Sequence, residues 1–125
     1  MNVEYSYIDV LEKRILCRKF TENAGIEDVV ASFEEIMKNK MLSENTIGII
    51  SDLRGVKFDI NFSVFKRVSA FLKLHPELFN YKLAAITTTP KQVVMVILAN
   101  NVSSKLNAKP FSTFEASLEW MTENI

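Results

Sequence analysis

The side chains that could carry covalent or acid/base chemistry are few and scattered. His75 is the one histidine and Cys17 the one cysteine, so a two-histidine mechanism, a multi-thiolate metal site and an internal disulfide are all excluded. His75 directly precedes Pro76 where a helix should end, and an imidazole there reads as a favourable contact with the helix dipole. Cys17 falls in mid-strand and is expected to be a buried structural thiol, since pairing with His75 needs two distant elements to meet. Glu34, Glu35, Glu115, Glu119 and Glu123 fall on expected solvated helix faces and Asp59 in a loop, so no carboxylate pair stands out for general acid/base work. Glycine occurs only at 25, 48 and 55, which rules out both a P-loop and the dinucleotide fingerprint. No catalytic residue, metal or cofactor is assigned, and the chain is expected to act by binding.

Composition and charge narrow the partners. The 15 Lys and Arg balance the 15 Asp and Glu, so no positive field gathers along a phosphate backbone and nucleic acid is not an expected partner. The basic residues that do cluster, Lys13, Arg14, Arg18 and Lys19, lie beside an expected hairpin, where cationic side chains keep an outer strand from pairing with another chain. They are read as solvated surface. A lone cysteine fits a reducing, cytoplasmic setting. The chain starts without a basic segment followed by an apolar one, so no secretory signal is expected. The longest apolar run, Val93 to Ala99, has seven residues, against about 20 for a membrane crossing.

The elements follow from periodicity. Residues 3 to 9 and 14 to 20 suit two strands of an opening hairpin, although its turn lacks the usual Asn-Gly or Asp-Gly. From Gly25 to Lys40, Ile26, Val29, Val30, Phe33, Ile36 and Met37 recur at helical spacing, with Glu27 and Asp28 at the start and Lys38 and Lys40 at the end. Thr46 to Leu53 reads as a strand buried on both faces, and Phe62 to His75 as a second amphipathic helix, with Phe62, Phe65 and Phe71 taken as core. Leu83 to Thr88 is another buried strand. Thr89, Pro90 and Gln92 then supply a cap, a first-turn proline and a capping-box partner for a third helix. Residues 107 to 111 form a final strand, and Ser112 and Glu115 have capping-box spacing ahead of a last helix. Such alternation predicts one α/β domain over residues 1–125: a strand hairpin, then a mostly parallel central sheet with about four helices.

In that arrangement ligands gather where parallel strands end and helix N-termini point outward. Here those places are Asp52 to Ser63 and Thr87 to Lys91. The first holds Asp52, Leu53, Arg54, Gly55, Val56, Lys57 and Phe58, which resembles the Asp-Leu-Ser-Gly-Val-x-Phe segment of STAS domains, the SpoIIAA-like anti-sigma-factor antagonist family. His75 to Phe79, Thr89 to Gln92 and Lys109 to Thr113 are similar to segments of small bacterial STAS-like proteins, and the order of elements matches across essentially the whole chain. The resemblance implies a regulatory or binding module. In regulatory members it would also place a phosphorylatable serine after that segment, in an Asp-Ser-Ser-Gly setting. This chain has Ile60, Asn61, Phe62 and Ser63 there, preceded by Asp59, so Asn61 or Ser63 is expected to act as a plain helix cap.

The expected site is accordingly Asp52, Arg54, Gly55, Asn61, Ser63, Thr88, Thr89 and Lys91, holding a protein partner or a small anionic ligand. A second feature is Val93 to Ala99, apolar on every side if helical. Either it is deeply buried, or Val93, Val96 and Ile97 form an apolar surface for a second copy, a membrane surface or a hydrophobic ligand. The alternative function is therefore carriage or sensing of a lipid-like ligand, because STAS-like folds are similar to some lipid-transfer domains.

Overall fold

The computed structural model describes residues 2–57 and 59–125, so Phe58, the last residue of the STAS-like segment, lies outside the described residues. Strands β1 (Val3–Val10) and β2 (Lys13–Phe20) meet at a two-residue turn in which Leu11 (φ 49°) and Glu12 (φ 68°) both adopt the left-handed region. That handedness matches the twist of paired strands, and here it is imposed on side chains that resist it. Asn45 Nδ2 donates to Glu12 O at 3.0 Å and braces the turn.

Helices and strands then alternate as expected: α1 (Ile26–Lys38), β3 (Thr46–Asp52), α2 (Phe62–Leu74) with a 3-10 turn (Pro76–Asn80), β4 (Lys82–Ile86), α3 (Pro90–Asn100), β5 (Asn107–Phe111) and α4 (Phe114–Met121). Local signals place the helix starts. Asn61 Oδ1 accepts from Val64 N at 2.9 Å, and Thr89 Oγ1 accepts from Gln92 N at 3.3 Å. The last helix departs from its expected cap: Thr113, and not Ser112, accepts from the backbone, at Ala116 N. β5 runs through Phe111, and Thr113 takes the extended cap conformation directly ahead of Phe114.

The sheet order is β1-β2-β3-β4-β5, with β1 antiparallel to β2 and the others parallel. Because each crossover moves one strand in the same direction, α1, α2 and α3 fall together on one face. Leu16, Phe20, Ile49 and Leu83 are buried beneath them. α4 alone covers the other face, over β3, β4 and β5, with Ile15, Ile50, Ile86 and Met121 at its core. Gly48 permits this approach, since a side chain there would collide with the Lys82 carbonyl and Met121. A strand order that never reverses has no switch point, so the carboxyl edge lacks the crevice that helices splayed to opposite faces would open.

Four expectations about burial are corrected. Arg18 is 2% exposed and is not surface charge: alternation along β2 aims it inward between Leu16 and Phe20. Phe62 is 78% exposed and not core, because as the first helical residue it projects beyond the sheet. Val96 is 7% exposed and so is no part of an outer surface, whereas Ile97, next to it on α3, is 49% exposed. Glu35 is likewise half-buried, with Oε2 enclosed and without a partner among the described residues.

Candidate functional site

The inward-facing guanidinium of Arg18 is the most unusual group in the interior. Its Nε donates to Ser51 Oγ at 2.6 Å and its Nη1 to the Val29 carbonyl at 2.9 Å. Its plane lies over Phe33, 3.6 Å from the ring centroid, with Phe20 at 4.9 Å. Both hydrogen-bond acceptors are neutral, and no carboxylate among the described residues forms an ion pair with it. Burial pushes its pKa down to about 9, with only the nearby Tyr5 opposing. Tyr5 in turn is held protonated, burial raising its pKa, while its hydroxyl meets Ser32 Oγ at 2.8 Å. A charge this deep without a counter-charge costs free energy that the surrounding packing must supply.

Arg18 lines a cavity of about 100 Å³ between the sheet and α1–α3, whose walls are otherwise almost wholly aliphatic and aromatic. Val29, Val30 and Phe33 come from α1, Val68, Phe71 and Leu72 from α2, and Met95, Val96 and Ala99 from α3. The floor is Ser51, Leu83 and Ala85. α2 is a light roof: of its 13 residues only Phe71 and Leu72 are buried. Arg67 ties it to Glu27 (3.0 Å) and Glu34 (3.5 Å) of α1 through exposed ion pairs, which hold little free energy.

The residues expected to form a site are not brought into one pocket. Asp52 and Arg54 pair with each other on the α4 side of the sheet, Arg54 Nε and Nη2 reaching the carboxylate at 2.9 and 2.8 Å. They border a groove with Cys17, Lys19 and Phe114. Burial alone would raise the Asp52 pKa, but hydrogen bonds from the Arg54 side chain and backbone N–H, with its charge, hold it below the usual range. Gly55 passes so close to the Thr21 backbone that a Cβ there would lie 2.8 Å from its carbonyl oxygen, a packing reason for glycine. Asn61 caps α2, and Ser63 faces a shallow α1–α2 surface beside Glu27 and Lys66. Thr89 and Lys91 border an open groove with Lys57 and Asp59, where Lys91 Nζ meets Asp59 at 3.2 Å. Both expected anion-binding cations, Arg54 and Lys91, therefore already have carboxylate partners.

Two residues outside that set organise the structure. Arg18 was detectable only through strand alternation, which places it on the face of Leu16 and Phe20. Gln92 does more than close the α3 capping box: its Nε2 donates to Leu53 O (2.8 Å) and Val56 O (3.1 Å), while its Oε1 accepts from Thr88 N at 2.7 Å. No local pattern announces that link between two strand-end loops. His75 stacks on Phe71 at 4.6 Å and meets Glu77 at 2.9 Å. Among the described residues no group of three or more His, Cys, Asp and Glu could hold a metal, and no helix is long and apolar enough to cross a membrane.

No family model and no curated protein matches the chain. Among solved structures it is similar to the crystal structure of an uncharacterized protein of the DUF3478 family with a SpoIIAA-like fold, from Shewanella loihica PV-4. The TM-score is 0.63 at 16% identity, over 96% of this chain and 93% of that one. The chain thus has a SpoIIAA-like fold, as its order of elements implied.

Proposed function

We propose that this chain is a non-enzymatic STAS-type module that senses or carries a small apolar ligand in the cavity between the sheet and α1–α3. The observation that carries this reading is the cavity itself, about 100 Å³ of largely apolar space under a helix that buries only two side chains. A well-packed interior keeps few voids larger than a water molecule, and apolar cavities of similar size stay dry and take up small hydrophobic molecules. The apolar α3 segment then meets the ligand from its inner side, through Met95, Val96 and Ala99, instead of through Val93 and Ile97.

Native mass spectrometry of freshly purified protein, with and without added small hydrocarbons and alcohols, is the direct test. A bound apolar molecule that is lost in Ala85→Met, which fills the floor of the cavity, supports the reading. Absence of any such complex overturns it.

A second reading is favoured by the open groove beside Lys57, Asp59, Thr89 and Lys91 and the neighbouring exposed Phe62: a protein partner docked at the strand-end loops. Arg54→Ala combined with Lys91→Glu should weaken such a partner, and unchanged affinity for every detected partner removes this site.

A further inference from the structure

Resting on the cavity reading above, we infer that the ligand is a monocarboxylate with a short apolar tail, its head held by the Arg18 guanidinium and its tail by the helix side of the cavity. Arg18 is buried and lines the cavity, yet its two protein hydrogen bonds go to a hydroxyl and a peptide carbonyl. Its Nη2 has no acceptor among the described residues. Nearby carboxylates do not compensate the charge: Glu27 and Glu34 are engaged by Arg67, and Glu35 approaches Tyr5. Phe33 lies against the guanidinium, 3.6 Å from Cζ to its ring centroid, and Nε and Nη1 are engaged, so the approach left to a carboxylate is at Nη2, through a charge-assisted N–H donor.

One buried cation matches one negative charge. A phosphate head would bring up to two charges and a tetrahedral shape into a space that offers a single guanidinium. Size bounds the tail. A dry cavity of about 150 Å³ accommodates the six carbons of benzene, so 100 Å³ suits about four non-hydrogen atoms, and the rest of the tail would have to lift α2. Val68, Phe71, Met95 and Val96 are placed to surround that tail.

The test compares hexanoate with hexan-1-ol by isothermal titration calorimetry on the wild-type protein and on Arg18→Met. The wild type should prefer hexanoate by about tenfold or more, and Arg18→Met should bind the alcohol as before while losing that preference. In the wild type, which depends on no variant folding, hexanoate should shift the Arg18 side-chain Nε–H resonance in a ¹H–¹⁵N spectrum and the alcohol should not. Equal binding of acid and alcohol to the wild type, or an unmoved Arg18 resonance, overturns the carboxylate assignment but leaves the cavity as an apolar site. Binding of neither compound overturns the cavity reading as well.

Discussion

Arg18 and Ser51 are register partners across the parallel β2–β3 pair, and the Arg18 Nε donates to Ser51 Oγ at 2.6 Å beneath three helices. A hydroxyl on one strand thus anchors a cation on the next, inside the core. Removing either partner has opposite expected effects on stability.

Ser51→Ala leaves the Arg18 Nε without its acceptor in the interior and should destabilise by about 1–3 kcal/mol. Arg18→Met replaces an uncompensated buried charge with an apolar chain of similar length, and should be neutral or stabilising by about 1–4 kcal/mol. In the double variant the Ser51→Ala cost should nearly vanish. Urea unfolding of all four proteins, at unchanged m-value, closes the cycle.

The same burial sets a pH dependence. The folded pKa of Arg18 is pushed down from the ordinary guanidinium range to about 9, so above pH 9 the unfolded chain binds more protons at this residue than the folded one. The cost of the buried charge is full below about pH 9 and shrinks as pH rises above it. The stability gap between Arg18→Met and the wild type should therefore be constant from pH 6 to 8 and narrow by pH 10.5. A gap that widens with pH would contradict an uncompensated cation at this position.

Asp52 works in the other sense and on the other face of the sheet. Its folded pKa lies below the ordinary value of 3.8 because the Arg54 hydrogen bonds outweigh its burial, so its contribution is present above about pH 4 and lost as pH falls through the folded value. Asp52→Asn should lower the urea midpoint at pH 6, by an amount that shrinks as pH falls below about 4. Because the pair lies away from the cavity, hexanoate binding at pH 7 should be unchanged.

Gln92 holds two loops through one side chain. Gln92→Leu should cost about 2–4 kcal/mol, from the lost capping-box bond and the buried Val56 carbonyl left without a donor. Faster amide exchange at Thr88 and Thr89, while β3 stays protected, would locate that cost in the loops. Uniform loss of protection would show that the link supports the whole sheet instead.

The Leu11–Glu12 turn offers a gain. Asn and Gly accept the left-handed conformation that these residues now occupy, so Leu11→Asn with Glu12→Gly should stabilise by about 1 kcal/mol. Thermal unfolding measures it directly, and a fall in Tm would mean that the exposed Leu11 side chain contributes contacts that outweigh its backbone strain.

What the chain alone determined is what depends on neighbours in sequence. Caps such as Asn61 and Thr89, the stop at Pro76 and the apolar stripe of α1 act over three or four residues, so spacing suffices to read them and, through alternation, the order of the fold. The resemblance of Asp52 to Phe58 to a STAS segment is local in the same way. Tertiary structure decided everything that depends on which surfaces meet. The count of basic residues could not say that Arg18 is stacked under Phe33, because burial follows from three helices converging on one face of β2 and β3. Composition made Val93–Ala99 apolar, but only packing could divide Met95 and Val96, inside, from Val94 and Ile97, outside. The expected anion site dispersed for a related reason. Strand alternation turns Asp52 to the α4 side of the sheet, opposite to Ser51, so Asp52 and Arg54 border one groove and Thr89 and Lys91 another.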